Sequence, residues 1–398
     1  MINGPIIEPG TPASKGSIAL CEPEIRGNEW KYIKDCLDTG WVSSVGSYVD
    51  RMEKAMASHT ETKFAVAAAN GSAALHIALL VAGIKPDDEV LISTLTFIAP
   101  ANAIRYAGAW PVFIDAEPEY WQMDPDKLKD FLEKECSRQN GRLVNKTTRR
   151  VIKAILPVHI LGHPVDMDPI LELAKQFGLV VIEDASEGLG AKYKNKPLGS
   201  LGEIACFSFN GNKIITTGGG GMIATNNQVW AKKAKYLTTQ AKDDPLEFVH
   251  GEIGYNYRLT NIAAAMGVAQ LELLDEFIAA KRRIAATYSE AFRDLSGIQP
   301  MPEAEWAFST FWLYTILVDE QKYGISSRKL LQKLDEANIQ ARPLWQPMHR
   351  SPAMAGCQSY LCNMADRLNQ MALSLPCSVG IREDQQNKVI EIIKSIAK

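Results

Sequence analysis

The chain is predicted to be an α/β protein, with a mostly parallel sheet covered by helices on both faces. Three observations carry this. From Lys63 onward, short apolar runs alternate with helical stretches of about 10 to 15 residues, the rhythm of βαβ units. The runs are apolar almost throughout, as strands buried on both faces require. Polar or glycine-bearing turns such as Asn70-Gly71-Ser72 and Glu183-Asp184 stand at strand ends, where ligands bind in open parallel sheets. At 398 residues the chain exceeds one usual core, so a smaller second domain is expected.

Residues 1–20 read as an irregular arm, 21–279 as the large domain and 280–398 as a smaller α+β domain. A helix is expected from Asn28 to Leu37, stopped by Thr39-Gly40, and an amphipathic helix follows Gly46. Phe64 to Ala67 is strand-like, and Asn70-Gly71-Ser72 opens a helix over Ala73 to Ala82. Strands at 89–93 and 110–114 enclose a helix at 98–106, and Asp124-Pro125 starts another. Strands follow at 151–158, 179–182, 204–209 and 221–225, with a helix at 169–177. One long helix is expected from Thr260 to Arg293, then a strand at 311–318 and helices at 327–337 and 383–397.

Composition narrows the function. Hydrophobic content of 46% with 22% charged residues describes a soluble globular chain. A formal charge of −3 gives no reason to expect nucleic-acid or anionic-membrane binding. The N-terminus lacks a basic region followed by an apolar core, and no apolar run approaches membrane-spanning length; a cytoplasmic location is expected. The 7 cysteines are scattered, without a CxxC pair, and read as reduced thiols. His159 and His163 stand four apart, but Gly162 and Pro164 oppose the helix that would aim both at a metal; they read as packed or turn residues, and no metal is expected.

The stretch CFSFNGNKIITTGGGGM, 206–222, holds Lys213 on a polar connection between two apolar runs. A lysine so placed is either a surface residue or one that can form a Schiff base with an aldehyde cofactor. The glycines 218–221 do not form a P-loop, since the lysine precedes them; they suit close backbone passage. Asn70-Gly71-Ser72 is a helix start able to hold an anion, or simply a cap. Asp184 ends a very apolar strand and needs a partner, for which a protonated pyridine nitrogen or the amides of the next turn both serve. Glu187 projects to the same region, and Phe97 can stack on a flat ring or pack in the core.

Together these segments resemble the sugar-nucleotide aminotransferases of the DegT–DnrJ–StrS family, pyridoxal-phosphate enzymes of the aspartate-aminotransferase-type fold (fold type I). The resemblance spans about residues 15 to 395 and runs in order through TGWVSSVG, NGSAALHIAL, STLTFIAPANAI, PVFIDAEPE, VHILGHPVDMDPI, EDASEGLGA, LGEIACFSFNGNKIITTGGGG and GYNYRLTNIAAAMGVAQL. It implies that Lys213 holds the cofactor and moves the proton. Asp184 would pair with the ring nitrogen, Glu187 sit near the ring hydroxyl and Phe97 stack on the ring. Gly71, Ser72 and Ser208 would hold the phosphate, joined by Asn256 from the neighbouring subunit of a homodimer with shared active sites. The family commonly has TTGEGG where this chain has Gly219, and glutamine or histidine where it has Glu187.

The resemblance further implies transfer of the amino group of L-glutamate, through the pyridoxamine form, to the C4 ketone of a nucleotide-linked 4-keto-6-deoxy sugar for bacterial surface glycans. A UDP-linked N-acetylated sugar is expected, with a dTDP-linked sugar, a C3 ketone or a non-catalytic pyridoxal-phosphate-binding regulator as alternatives. Trp41, Ser43, Arg342, Trp345 and His349 are expected to line the sugar-nucleotide groove.

Overall fold

The fold was analysed in a computed structural model, which describes residues 16–244 and 246–397. The expected arm therefore lies outside the described residues except for 16–20. In chain order the strands used below are β1 (Phe64–Ala68), β2 (Glu89–Ser93), β3 (Trp110–Ile114), β4 (Ile152–Leu156), β5 (Val180–Asp184), β6 (Ile204–Ser208) and β7 (Gly221–Thr225). Then come β8 (Ile298–Gln299), β9 (Tyr314–Val318), β10 (Arg342–Pro343), β11 (Gln358–Tyr360) and β12 (Ala372–Leu375).

The large sheet has 8 strands in the order β1-β7-β6-β5-β4-β2-β3-β11. β7 pairs antiparallel with both β1 and β6, and the remaining pairings are parallel. Its central strands are buried on both faces because helices cover both, which is why alternation is absent from their sequences. The helix Gly71–Val81 is rich in alanine and buried almost all round, as an element enclosed by others should be. A second, antiparallel sheet of 4 strands follows the order β8-β9-β12-β10.

Three readings of the sequence change. The helix expected over 260–293 is two, Asn261–Leu271 and Leu274–Phe292. At the break the Glu272 carboxylate accepts hydrogen bonds from Tyr32 and Asn28, and the Leu273 amide turns back to the Gln270 carbonyl. The strand expected from Phe311 starts only at Tyr314, because Phe311 adopts a left-handed φ of 49°. β11, reading Gln-Ser-Tyr, carries no apolar signal, yet it crosses from the C-terminal part of the chain to extend the large sheet beside β3.

Candidate active site

Lys213 sits in the connection between β6 and β7, which pair directly (Ser208 opposite Gly221) and so hold both ends of the loop together. The loop is closed by hydrogen bonds from Phe209 N–H to the Gly220 carbonyl and from Thr217 N–H to the Phe209 carbonyl. Its four glycines have two different roles. At Gly221 a Cβ would lie 2.4 Å from the Asn70 carbonyl oxygen, so only glycine lets β7 pass the start of the helix Gly71–Val81. Around Gly218 and Gly219 nothing lies within 4 Å of such a Cβ.

The lysine points into a cavity of about 300 Å³ at the carboxyl ends of β5 and β6. Gly71 and Ser72 stand at one end with Ser208, and Asp184 and Glu187 line it with Phe97 and Trp345. Lys213 Nζ is 3.4 Å from Glu187 Oε1 and 4.1 Å from the centre of the Trp312 ring. Glu187 is pinned from behind, its Oε2 accepting the Leu161 amide at 2.8 Å. Phe97 keeps about half its surface (53%) open at this wall, which suits a face that takes a flat ring rather than a core position.

Asp184 is buried, and its carboxylate accepts the Ser186 amide at 3.0 Å. Burial pushes its pKa up, opposed by Ser186 and by the Lys213 charge. Burial likewise raises Glu187, opposed first by Lys213. Glu187 is paired with Lys213, whereas Asp184 has no ion-pair partner among the described residues, as a group awaiting a cationic ligand would be. His159 and His163 are packed residues, as their sequence context suggests. His159 is shared between Glu183 and the Val165 amide, while His163 takes the Ala304 amide and stacks on Tyr120 at 5.4 Å.

The other expected residues divide. Trp345 lines the cavity and also a contiguous groove of about 770 Å³ that Arg342 shares. The two spaces meet at Asn210, Asn212, Trp312 and Trp345. His349 lines neither; its ring is held between Thr94 Oγ1 at 2.8 Å and Asp366 at 3.2 Å, so it ties the chain before β11 to the end of β2. Trp41, Ser43 and Asn256 lie outside the Lys213 cavity of their own chain. Asn261 fixes the Trp41–Ser43 segment through the Trp41 and Ser43 carbonyls, and Asn256 accepts hydrogen bonds from Arg258. Trp312 went unremarked in the sequence; its one signal was an aromatic residue just before an apolar strand.

The cavity fits pyridoxal phosphate. A Cβ on Gly71 would stand 2.8 Å from Ser208 Cβ, so the bare backbone keeps open a pocket at a helix start for an anion. Opposite it, a buried acid and a lysine flank space for a protonated ring. A doubly wound sheet carrying this site defines a pyridoxal-phosphate-dependent aminotransferase of the aspartate-aminotransferase type. Residues 23–394 match the DegT/DnrJ/EryC1/StrS aminotransferase family, and the chain belongs to it. It is 40% identical to the GDP-perosamine synthase of Caulobacter vibrioides, over 95% of this chain and 98% of that protein. Identity to EpsN of Bacillus subtilis strain 168, a candidate pyridoxal phosphate-dependent aminotransferase, is 39% over 94% of this chain and 95% of that one. Among solved structures, DesI in the presence of its TDP-sugar product superposes with a TM-score of 0.85 at 26% identity, covering 97% and 94% of the two chains. The chain is a sugar aminotransferase of this family.

Proposed function

We propose that the protein moves the amino group of L-glutamate to the C4 ketone of a nucleotide-linked 4-keto-6-deoxy sugar. The observation that carries this is the groove of about 770 Å³ opening off the Lys213 cavity, with room for a nucleotide beyond the reacting carbon. Arg342 suits the diphosphate and Trp345 the base or sugar. Greater likeness to GDP-perosamine synthases than to the TDP-sugar enzyme favours a GDP-linked sugar over the UDP- or dTDP-linked ones.

Bound pyridoxal phosphate supplies an aldehyde for amine condensation and a ring that withdraws electrons from a carbon losing its proton. Asp184 would keep the ring nitrogen protonated, and Gly71, Ser72 and Ser208 would seat the phosphate. Phe97 would cover a ring face, and Glu187, 3.4 Å from Lys213 Nζ, orients the lysine and would lie near the ring hydroxyl. Lys213 Nζ takes the proton from the α-carbon of glutamate in the first half-reaction and returns one to C4 of the sugar in the second. The face bearing Trp41 and Asn256 would pack on a second copy, bringing Asn256 to the partner's phosphate.

Lys213→Ala is expected to abolish turnover and the visible absorption of the lysine-bound cofactor; retained turnover sinks the assignment. Incubating the wild-type enzyme and glutamate with GDP-, UDP- and dTDP-linked 4-keto-6-deoxy sugars reads the nucleotide directly. Amination of a UDP- or dTDP-linked sugar in preference to the GDP-linked one overturns that part of the reading.

A further inference from the structure

The groove wall contains a cluster that the transamination does not use. Cys21 lines the groove beside Asn212, its Sγ 3.4 Å from the carbonyl of the residue that precedes Lys213. Behind it lies Lys281, a lysine only 2% exposed, whose Nζ donates to Cys21 Sγ at 3.3 Å, to Cys377 Sγ at 3.6 Å and to the Trp312 carbonyl at 2.9 Å. Cys377 is buried, its Sγ donating to the same Trp312 carbonyl at 3.6 Å, so both sulfurs gather around one ammonium. A buried ammonium needs a counter-charge, and among the described residues no carboxylate reaches it; two thiols and a carbonyl do.

We propose that Cys21 and Cys377 form a peroxide-reactive dithiol, with Cys21 the attacking sulfur, Cys377 the resolving one and Lys281 the fixed cation in contact with both. The ionisable groups acting on Cys21 are Cys377, Lys281 and Lys213. The neighbouring Cys377 thiol and the two lysine charges outweigh burial and bring the Cys21 thiol to about 6. Cys21 lines the groove while Cys377 is only 1% exposed behind it, and this difference in access separates the attacking sulfur from the resolver. Cys21 thiolate attacks one oxygen of hydrogen peroxide, the O–O bond breaks, and hydroxide leaves a sulfenic acid. Cys377 then loses its thiol proton and attacks the Cys21 sulfur, forming S–S and releasing the second oxygen as water. Two thiols are oxidised and one peroxide is reduced to two waters. Bridging draws Cys21 from the groove wall and from Asn212, which also accepts the Trp312 indole N–H at 2.7 Å. The inference holds whichever sugar nucleotide the groove takes.

The test uses the reduced, cofactor-loaded full-length protein. After a stoichiometric dose of hydrogen peroxide and quenching with N-ethylmaleimide, peptide mapping should return a Cys21–Cys377 bridge, reversed by dithiothreitol, with the other cysteines alkylated. In Cys377→Ala, dimedone should label Cys21. Iodoacetamide labelling of Cys21 should reach half its plateau rate near pH 6, against about 8.5 for an ordinary thiol. The rate itself is a poor readout. More thiolate is offset by weaker nucleophilicity, leaving roughly a two- to threefold gain at pH 7. Lys281→Met should move the midpoint upward. Recovery of Cys21 as its maleimide adduct, or overoxidation without a bridge in the wild type, overturns the proposal, as does an ordinary labelling midpoint.

Discussion

Glu183 and Asp184 are adjacent at the end of β5, and the two-residue period of a strand sends them to opposite faces. Both are buried acids, yet their surroundings differ in kind. The Glu183 carboxylate accepts hydrogen bonds from the amides of Gly199 (3.0 Å), Leu201 (2.9 Å) and Gly202 (2.7 Å), and lies 3.2 Å from His159 Nε2. Burial pushes its pKa up, but His159 and the amides outweigh that and leave it below the usual value. Asp184 has the Ser186 amide and a pKa that burial holds above the usual value. A carboxylate surrounded by donors belongs to the scaffold. One left short of donors at a cavity is held for a ligand.

The contrast can be broken experimentally. Glu183→Gln should cost about 3–5 kcal/mol of stability, since it removes one partner of a buried network, with activity falling only as folded protein is lost. Denaturant titration measures it, and an unchanged midpoint would refute the scaffold role. Asp184→Asn should keep the fold and lose roughly 10²–10³ of kcat, the scale for removing one preorganised electrostatic contact.

The pH profiles should have opposite signs in cofactor-free protein. Glu183 is held below its unfolded value, so its contribution is present above about pH 4.3 and is lost as pH falls through the folded pKa. Asp184 is held above its unfolded value of about 3.9, so ionisation destabilises the fold above the folded pKa, and that burden vanishes in acid. Asp184→Asn should therefore be more stable than wild type near neutrality, Glu183→Gln less, and both should converge on it in acid. Melting curves across pH decide this; curves of the same sign dissolve the distinction. Gly71→Ala, with its Cβ 2.8 Å from Ser208, should cost about 1–3 kcal/mol and weaken pyridoxal-phosphate affinity, read by fluorescence titration. Smallest of all, Gly219→Glu, which restores the usual family residue where nothing lies within 4 Å, should change stability by no more than about 0.5 kcal/mol.

Much of this was legible before any coordinates. The apolar runs of β2, β4 and β5 are unmistakable because both faces are buried, and Lys213 stood out because strands on both sides hold it. Elements made by distant partners were not legible. β11 is polar and short, and it forms because β3 offers it an edge. His349 looked like a groove residue but serves as a tie, since Thr94 and Asp366 reach it from 255 and 17 positions away. The split between the two helices after Thr260 depends on Tyr32 and Asn28, which no local window includes. Asp184 was singled out from the sequence, but the scaffold role of Glu183 depends on amides and a histidine supplied by other segments.

β11 has one last consequence, for modularity. The chain leaves the smaller sheet after β10, lends three residues to the larger sheet, and returns as β12. Cutting or grafting at a single seam near residue 280 would therefore tear an edge strand from the recipient and leave Tyr360 and Cys362 without their neighbours on β3 and Asp130. Chimaeras between relatives should work only when the crossover keeps β3 and β11 from the same parent.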